Sequence, residues 1–319
     1  MRITIVGLGV LGTSLGLGLK AATSDIPITG HDPDSDLVAR AKKAGAIDDS
    51  HWNLVAACRE ADLVVLDLIP SEIEPTLTAL REDLRDGAVV LDTAPIKAPV
   101  MEMARRALGP GVSFIGGHVV SPALTLGRPE PSAELVRGAP FVLVVPEEAR
   151  PDAADVAATF ATAVGAEPRF MDALEHDGVM AATAQLPLVM ALAVAGVLER
   201  SEGRHDREDL AGGELAALGA ALLGERAQTA EALLASRELL LPWVDDALAE
   251  LGDLRDLLAE GDAEGWAARY AAARQLAGRW LPGASESTGG DEQGGRQAGG
   301  FWRDMLLGAL GRGPRRPRG

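Results

Sequence analysis

Short apolar runs recur along the first half of the chain, each separated by a stretch whose apolar positions fall three and four residues apart. The runs at 2–6, 28–31, 61–68, 88–91, 112–115, 141–145 and 167–171 read as strands. The intervening segments 13–22, 36–44, 54–60, 100–108 and 151–164 read as helices. Ser71 stands where it can cap a further helix, with Glu72 and Glu74 near that helix's positive end. Alternation of this length specifies an α/β fold, a doubly wound and mostly parallel sheet. Ligands bind beyond the carboxyl ends of the strands in such sheets. Asp32, Ile69, Pro70, Thr93 and His118 all fall at such ends, so one cleft can collect them.

The pattern changes near Asp172. From there to about residue 282 the spacing is helical throughout, rich in Ala and Leu. The segment 174–198 is long and apolar nearly all round, and Pro187 inside it predicts a kink. A polar loop is expected at 201–209, then helices at 213–223, 226–260 and 263–280. The expected organisation is a sheet domain over 1–171, an all-helical domain over 172–282, a Gly- and Ser-rich linker over 283–300, and an amphipathic segment with a basic tail over 301–319. A helical domain this apolar predicts a homodimer through that domain; an internal bundle is the alternative. The tail reads either as a docking peptide or as a segment that covers the protein's own groove or stays unfolded.

The densest chemical signal lies at the start. The strand at 2–6 runs into Gly7-Leu8-Gly9-Val10-Leu11-Gly12, a helix-compatible stretch follows, and the next strand ends on Asp32. That is the spacing of a dinucleotide-binding βαβ unit, a Rossmann-type arrangement. Gly7 permits the tight turn, Gly9 lets backbone approach a pyrophosphate, and Gly12 lets the helix pack on the sheet. The helix amino terminus offers unpaired N–H groups to phosphate. Asp32 can accept hydrogen bonds from the adenosine ribose and repels a 2′-phosphate, which favours NAD over NADP.

Composition narrows the function classes. The net charge of −17 over 319 residues argues against nucleic acid as a partner and requires local donors for an anionic ligand. The single cysteine, Cys58, excludes an internal disulfide framework and reads as a small buried hydrophobe. The five histidines show no zinc spacing, so no metal is expected. No apolar run reads as long and pure enough to span a membrane, and the first strand is expected to leave no room for a leader; a cytoplasmic location is expected.

Four segments then resemble one enzyme family in order and spacing: VGLGVLG at 6–12, LDTAPIK at 91–97, FIGGH at 114–118 and EHDGVMA at 175–181. The chain resembles prephenate and arogenate dehydrogenases, the NAD(P)-linked enzymes of tyrosine synthesis, over about residues 1–280. The resemblance implies oxidation of a cyclohexadienyl hydroxyl with hydride passed to nicotinamide, followed by loss of carbon dioxide. It implies that His118 hydrogen-bonds that hydroxyl and assists its deprotonation, a task suited to imidazole. It places Lys97 where it orients a loop or an anion, with a solvated surface lysine as the alternative.

The chain departs from the family pattern at four places. Val119-Val120-Ser121-Pro122 follows the histidine in place of a Pro-Met turn, and Pro95 stands where the family carries a serine. Gln185, in Ala184-Gln185-Leu186-Pro187-Leu188, replaces a histidine; it can hydrogen-bond but cannot carry charge. The segment 214–221 lacks the family's carboxylate-gripping arginine, for which Arg226 or Arg237 are the nearby substitutes. These departures leave a second reading: a divergent paralogue acting on another hydroxy acid, or a regulatory NAD-binding protein. A β-hydroxyacid dehydrogenase is disfavoured, because that type uses a lysine in its helical domain and no lysine follows Lys97.

Overall fold

A computed structural model of the chain describes residues 1–125, 129–200, 210–223 and 230–280. The expected loop at 201–209, Arg226, the linker and the basic tail lie outside these residues.

One eight-stranded sheet dominates: β1 (Ile3–Val6), β2 (Ile28–His31), β3 (Asp49–Ser50), β4 (Leu63–Leu66), β5 (Val89–Asp92), β6 (Ser113–Val119), β7 (Pro140–Val144) and β8 (Glu167–Phe170). Their order is β3-β2-β1-β4-β5-β6-β7-β8. The first six run parallel, β6 pairs antiparallel with β7, and β7 pairs parallel with β8. Helices α1 (Val10–Ala22), α2 (Ser35–Ala44), α3 (Leu54–Cys58), α4 (Pro70–Leu80), α5 (Ala98–Ala107), the short α6 (Pro122–Thr125) and α7 (Pro151–Ala163) connect them. Central strands are buried on both faces, as parallel sheets require. Ile3, Ile5, Leu63, Val65, Val89 and Leu91 join one apolar layer, whereas Val6, Val64, Leu66 and Val90 join the other. Cys58 lies in the second layer, where burial pushes its thiol up to about 12 and leaves it inert.

Three local expectations change. Strand β3 is only two residues long, too short for a periodic signal. Helix α4 is capped by Ile69 with Pro70 in its first turn, so Ser71 lies inside the helix instead of capping it. Strand β6 does not stop before Gly116. It changes partners: Ser113–Ile115 pair with β5, and Gly116–Val119 pair with β7. A Cβ at Gly117 would sit 2.4 Å from the Asp92 carbonyl oxygen. These glycines therefore mark a close crossing within a strand, a pattern that resembles a turn in sequence.

After β8 come α8 (Ala173–Met180), a π-turn (Ala181–Gln185) and α9 (Leu186–Glu199). Pro187 lacks an N–H to donate backward, and the widened turn lies just ahead of it. The run Ala173–Glu199, with mean hydropathy 1.9 over its most apolar window, is long and apolar enough to cross a membrane by length and composition alone, which corrects the sequence reading. Its first turns, however, are docked on the sheet domain through Asp177. Helices α10 (Gly213–Leu223), α11 (Ala230–Ala235), α12 (Arg237–Glu260) and α13 (Ala263–Ala277) complete the described chain.

By its internal contacts the chain divides into Met1–Val244 and Asp245–Gly319. The change from strands to helices does fall near Asp172, but α8 and α9 pack with the first unit. In the second unit, Asp262 caps α13 through the Gly265 N–H, and Arg269 pairs with Glu250 and Asp253.

Candidate active site at the carboxyl ends of the strands

The glycine turn is shaped by the protein at two positions and left open at the third. Gly7 has φ +90°, and a Cβ there would lie 2.1 Å from the Asp67 carbonyl oxygen. A Cβ at Gly12 would lie 2.0 Å from the Gly7 carbonyl oxygen. Gly9 is different: among the described residues a Cβ there would meet only Asp67 Oδ2, at 3.9 Å. Its missing side chain thus leaves free space at the amino end of α1, which is the cradle a pyrophosphate needs. Leu8 and Leu11 send their side chains into the core, so they can offer a ligand only backbone. Asp32 at the end of β2 accepts the Leu8 N–H (2.8 Å) through one oxygen and the Asp34 N–H (2.8 Å) through the other. It therefore sets the glycine turn.

Along that edge the strand ends are tied together side by side. Asp67, just past β4, accepts the Gly12 N–H (2.7 Å) and the Thr93 hydroxyl (2.8 Å). Thr93 is buried at the end of β5 and also donates to the Leu66 carbonyl. Its neighbour Asp92 accepts the Gly117 N–H (3.0 Å) and the Ala94 N–H (2.8 Å). Lys97 Nζ, completely buried, donates to Asp92 Oδ2 (2.6 Å) and to the Gly117 carbonyl (2.7 Å). The alternative of a solvated surface lysine is thereby set aside. Burial pushes the Lys97 ammonium below its ordinary pKa, against the pull of Asp92. Its bonds lock the β5 end onto the glycines of β6 and so fix where His118 stands.

His118 is nearly buried, and its ring lies edge-on to that of His176. His118 Nδ1 is 2.9 Å from His176 Nε2, and His176 Nδ1 is 2.7 Å from Asp177 Oδ1. Asp177 also accepts the Lys97 N–H (2.7 Å) and the Ala98 N–H (2.8 Å) at the start of α5. The network assigns the protons. A carboxylate held by two N–H groups takes a third from His176 Nδ1, so His176 Nε2 is read as the acceptor in its bond with His118. His118 then carries its proton on Nδ1 and presents an unprotonated Nε2. Burial, with the nearby Lys97 ammonium, holds the His118 pKa well below 6.5, so the ring is neutral.

His176 and Asp177 were not singled out in the sequence as site residues. Their signal was the adjacent His-Asp pair within 175–181, whose role depends on a fold-back that no local pattern specifies. Gln185 is buried and donates to Ser236 (3.0 Å), while its Oε1 is buried with no hydrogen-bond partner among the described residues. Among the described residues no hydrogen bond joins it to His118. Ile69 is partly exposed at the cap of α4 and Pro70 is buried behind it. Arg237 is exposed on α12 beside Glu238, and no arginine lies on α10.

Residues 15–168 match the family model described as prephenate dehydrogenase, nucleotide-binding domain. A prephenate dehydrogenase of Lactococcus lactis is 32% identical over 196 residues, covering 60% of this chain and 52% of that one; the match thus spans about half that relative's length. A cyclohexadienyl dehydrogenase of Zymomonas mobilis is 25% identical over 265 residues, covering 82% of this chain and 90% of that one. The fold is that of the A. aeolicus prephenate dehydrogenase solved with hydroxyphenyl propionate and NAD+, at TM-score 0.75 and 20% identity over 86% of this chain and 96% of that one. A Synechocystis arogenate dehydrogenase matches at TM-score 0.70 and 20% identity, over 88% and 100% of the two chains. With the glycine turn, the acid at the end of β2 and the tethered imidazole in one row of strand ends, these likenesses support the prephenate and arogenate dehydrogenase family for this chain.

Proposed function

We propose that this protein is an NAD-dependent dehydrogenase that oxidises and decarboxylates prephenate or arogenate, a step of tyrosine biosynthesis. The observation that carries the reading is the neutral His118, whose free Nε2 stands on β6 in the same row of strand ends as the glycine turn. From β1 through β4 and β5 to β6 is three strand spacings, roughly 14 Å at ordinary sheet geometry. Gly9 and the first turn of α1 hold the pyrophosphate, Asp32 the adenosine ribose, and Ile69 lines the passage between them and His118, while the buried Pro70 and Thr93 support it from within.

NAD, when bound, supplies the hydride acceptor. His118 Nε2 takes the proton of the ring hydroxyl as the carbon–hydrogen bond at that carbon gives up its hydride. The bond to the ring carboxylate then breaks, its electron pair enters the ring, and carbon dioxide leaves as the ring becomes aromatic. His176 and Asp177 act as positioning residues: they fix the His118 tautomer and accept part of the charge that the ring gains. Lys97 positions β6 through Asp92 and Gly117. Gln185 belongs to the substrate side by its place in the helical segment, where its unpaired Oε1 is available to a donor.

Leu192 and Val197 of the apolar α9 are exposed, which supports a homodimer through the helical part as the functional form. A second reading, turnover of a different hydroxy acid, is favoured by the absence of arginine from α10.

The deciding experiment offers prephenate and arogenate with NAD and NADP and follows reduced cofactor. The expected result is turnover with NAD in preference to NADP, reduced about 10²- to 10⁴-fold in His118→Asn. NAD binding without turnover of either acid would overturn the substrate assignment, and His118→Asn turning over at the wild-type rate would overturn the role of the imidazole.

A further inference from the structure

The cradle for the cofactor's phosphates already holds a negative charge. Helix α1 begins with Gly9 as its cap, Val10 and Leu11 in its first positions and Gly12 third, so the Gly12 N–H is one of the donors that a helix start leaves without an internal partner. That N–H does not face open space. It donates to Asp67 Oδ2 at 2.7 Å, and the Thr93 hydroxyl fixes the other oxygen at 2.8 Å. The same Oδ2 is what a side chain at Gly9 would first meet, at 3.9 Å, so the carboxylate borders the space that Gly9 leaves open. A carboxylate at the positive end of a helix is stabilised by the same dipole and donor that would stabilise a phosphate. A pyrophosphate entering this space competes with Asp67 for the donor and is repelled by its charge.

We infer that Asp67 is a resident competitor for the pyrophosphate site, which sets the cofactor affinity and yields its hydrogen bond with Gly12 when the dinucleotide binds. The inference rests on the cofactor reading above. Asp67 forms part of the cradle as a hydrogen-bond acceptor, whereas a ligand anion needs donors. The charge lowers the affinity for any ligand carrying a phosphate there and leaves a phosphate-free ligand untouched. Its hydrogen bonds to Gly12 and Thr93 also tie the amino end of α1 to the ends of β4 and β5.

The test is calorimetric titration of the full-length protein with ADP-ribose, which carries the pyrophosphate but no nicotinamide, and with adenosine, which carries no phosphate. The variants are Asp67→Asn, which keeps the shape and removes the charge, and Asp67→Ser, which also shortens the side chain. ADP-ribose is expected to bind at least about tenfold tighter to Asp67→Asn than to the wild type, with adenosine unchanged. Unchanged or weaker ADP-ribose binding in folded variants would overturn the inference, as would equal tightening for both ligands. If neither variant folds, the wild-type complex with ADP-ribose decides: an Asp67 carboxylate moved off the Gly12 N–H supports the competition, and one still bonded there sinks it. Absence of ADP-ribose binding to the wild type and to every variant would instead overturn the cofactor reading itself, and this inference with it.

Discussion

At the scale of single residues, His118 gains its chemistry from what lies behind it. An isolated imidazole at a strand end would exchange tautomers and titrate near 6.5. Here Asp177 orders the protons through His176, and burial holds the ring neutral. The pH dependence follows in sign. The folded pKa lies below the unfolded value, so the unfolded chain binds the extra proton first as pH falls. Stability is therefore fully present above about 6.5 and is lost as pH falls from there toward the folded pKa. Thermal denaturation of the wild type between pH 7.5 and 5 should show a falling midpoint, with a shallower fall in His118→Asn. The kcat/KM profile with the accepted substrate should stay level through pH 6.5 instead of bending there, since the free enzyme's base remains unprotonated. A bend at 6.5 would mean that the ring titrates as an ordinary exposed histidine.

At the scale of elements, the contact that decides the site's geometry is the crossing of β5 over the glycines of β6. Gly117 offers its N–H to Asp92 and its carbonyl to Lys97, so one buried ion pair clamps both backbone polar groups of a single residue. The sequence placed Lys97 near a strand end correctly but could not tell an anion-facing lysine from a clamp, because the difference is a matter of burial. Lys97→Met fills the space yet leaves Asp92 with an uncompensated charge in the interior. It should cost about 3–5 kcal/mol in urea denaturation, far more than an exposed lysine. A loss under 1 kcal/mol would show that Asp92 is satisfied by its backbone donors alone. The π-turn ahead of Pro187 belongs to the same scale. The proline announced a break in the helix, and the structure made it a widened turn that carries Gln185 inward.

At the scale of the whole molecule, the central strands of the sheet are buried on both faces, whereas the helical part leaves apolar side chains exposed. Helix α9 is apolar nearly all round, yet only Leu188 and Ala191 are buried. Apolar area of this kind costs free energy while it faces water, and a second copy is the simplest cover. Sedimentation velocity should show a dimer, and Leu192→Glu combined with Val197→Glu should shift it to monomer with the sheet domain still folded. A wild-type monomer would favour the internal-bundle alternative.

The sequence by itself determined what depends on near neighbours. Strand and helix alternation, the glycine turn with Asp32 after the second strand, and a histidine past Gly116 are set by patterns within a few residues, where propensity and spacing act directly. Only the tertiary structure decided what these residues do to one another. His118 meets His176 across 58 positions of chain, Lys97 donates its N–H to Asp177 across 80, and Asp67 reaches Gly12 across 55. A carboxylate reads alike in sequence whether it binds a ligand, orders a proton or occupies the place of a phosphate. The fold separates Asp32, Asp177 and Asp67 into candidates for these tasks, because hydrogen bonds and burial act over a few ångströms of space and not along the chain.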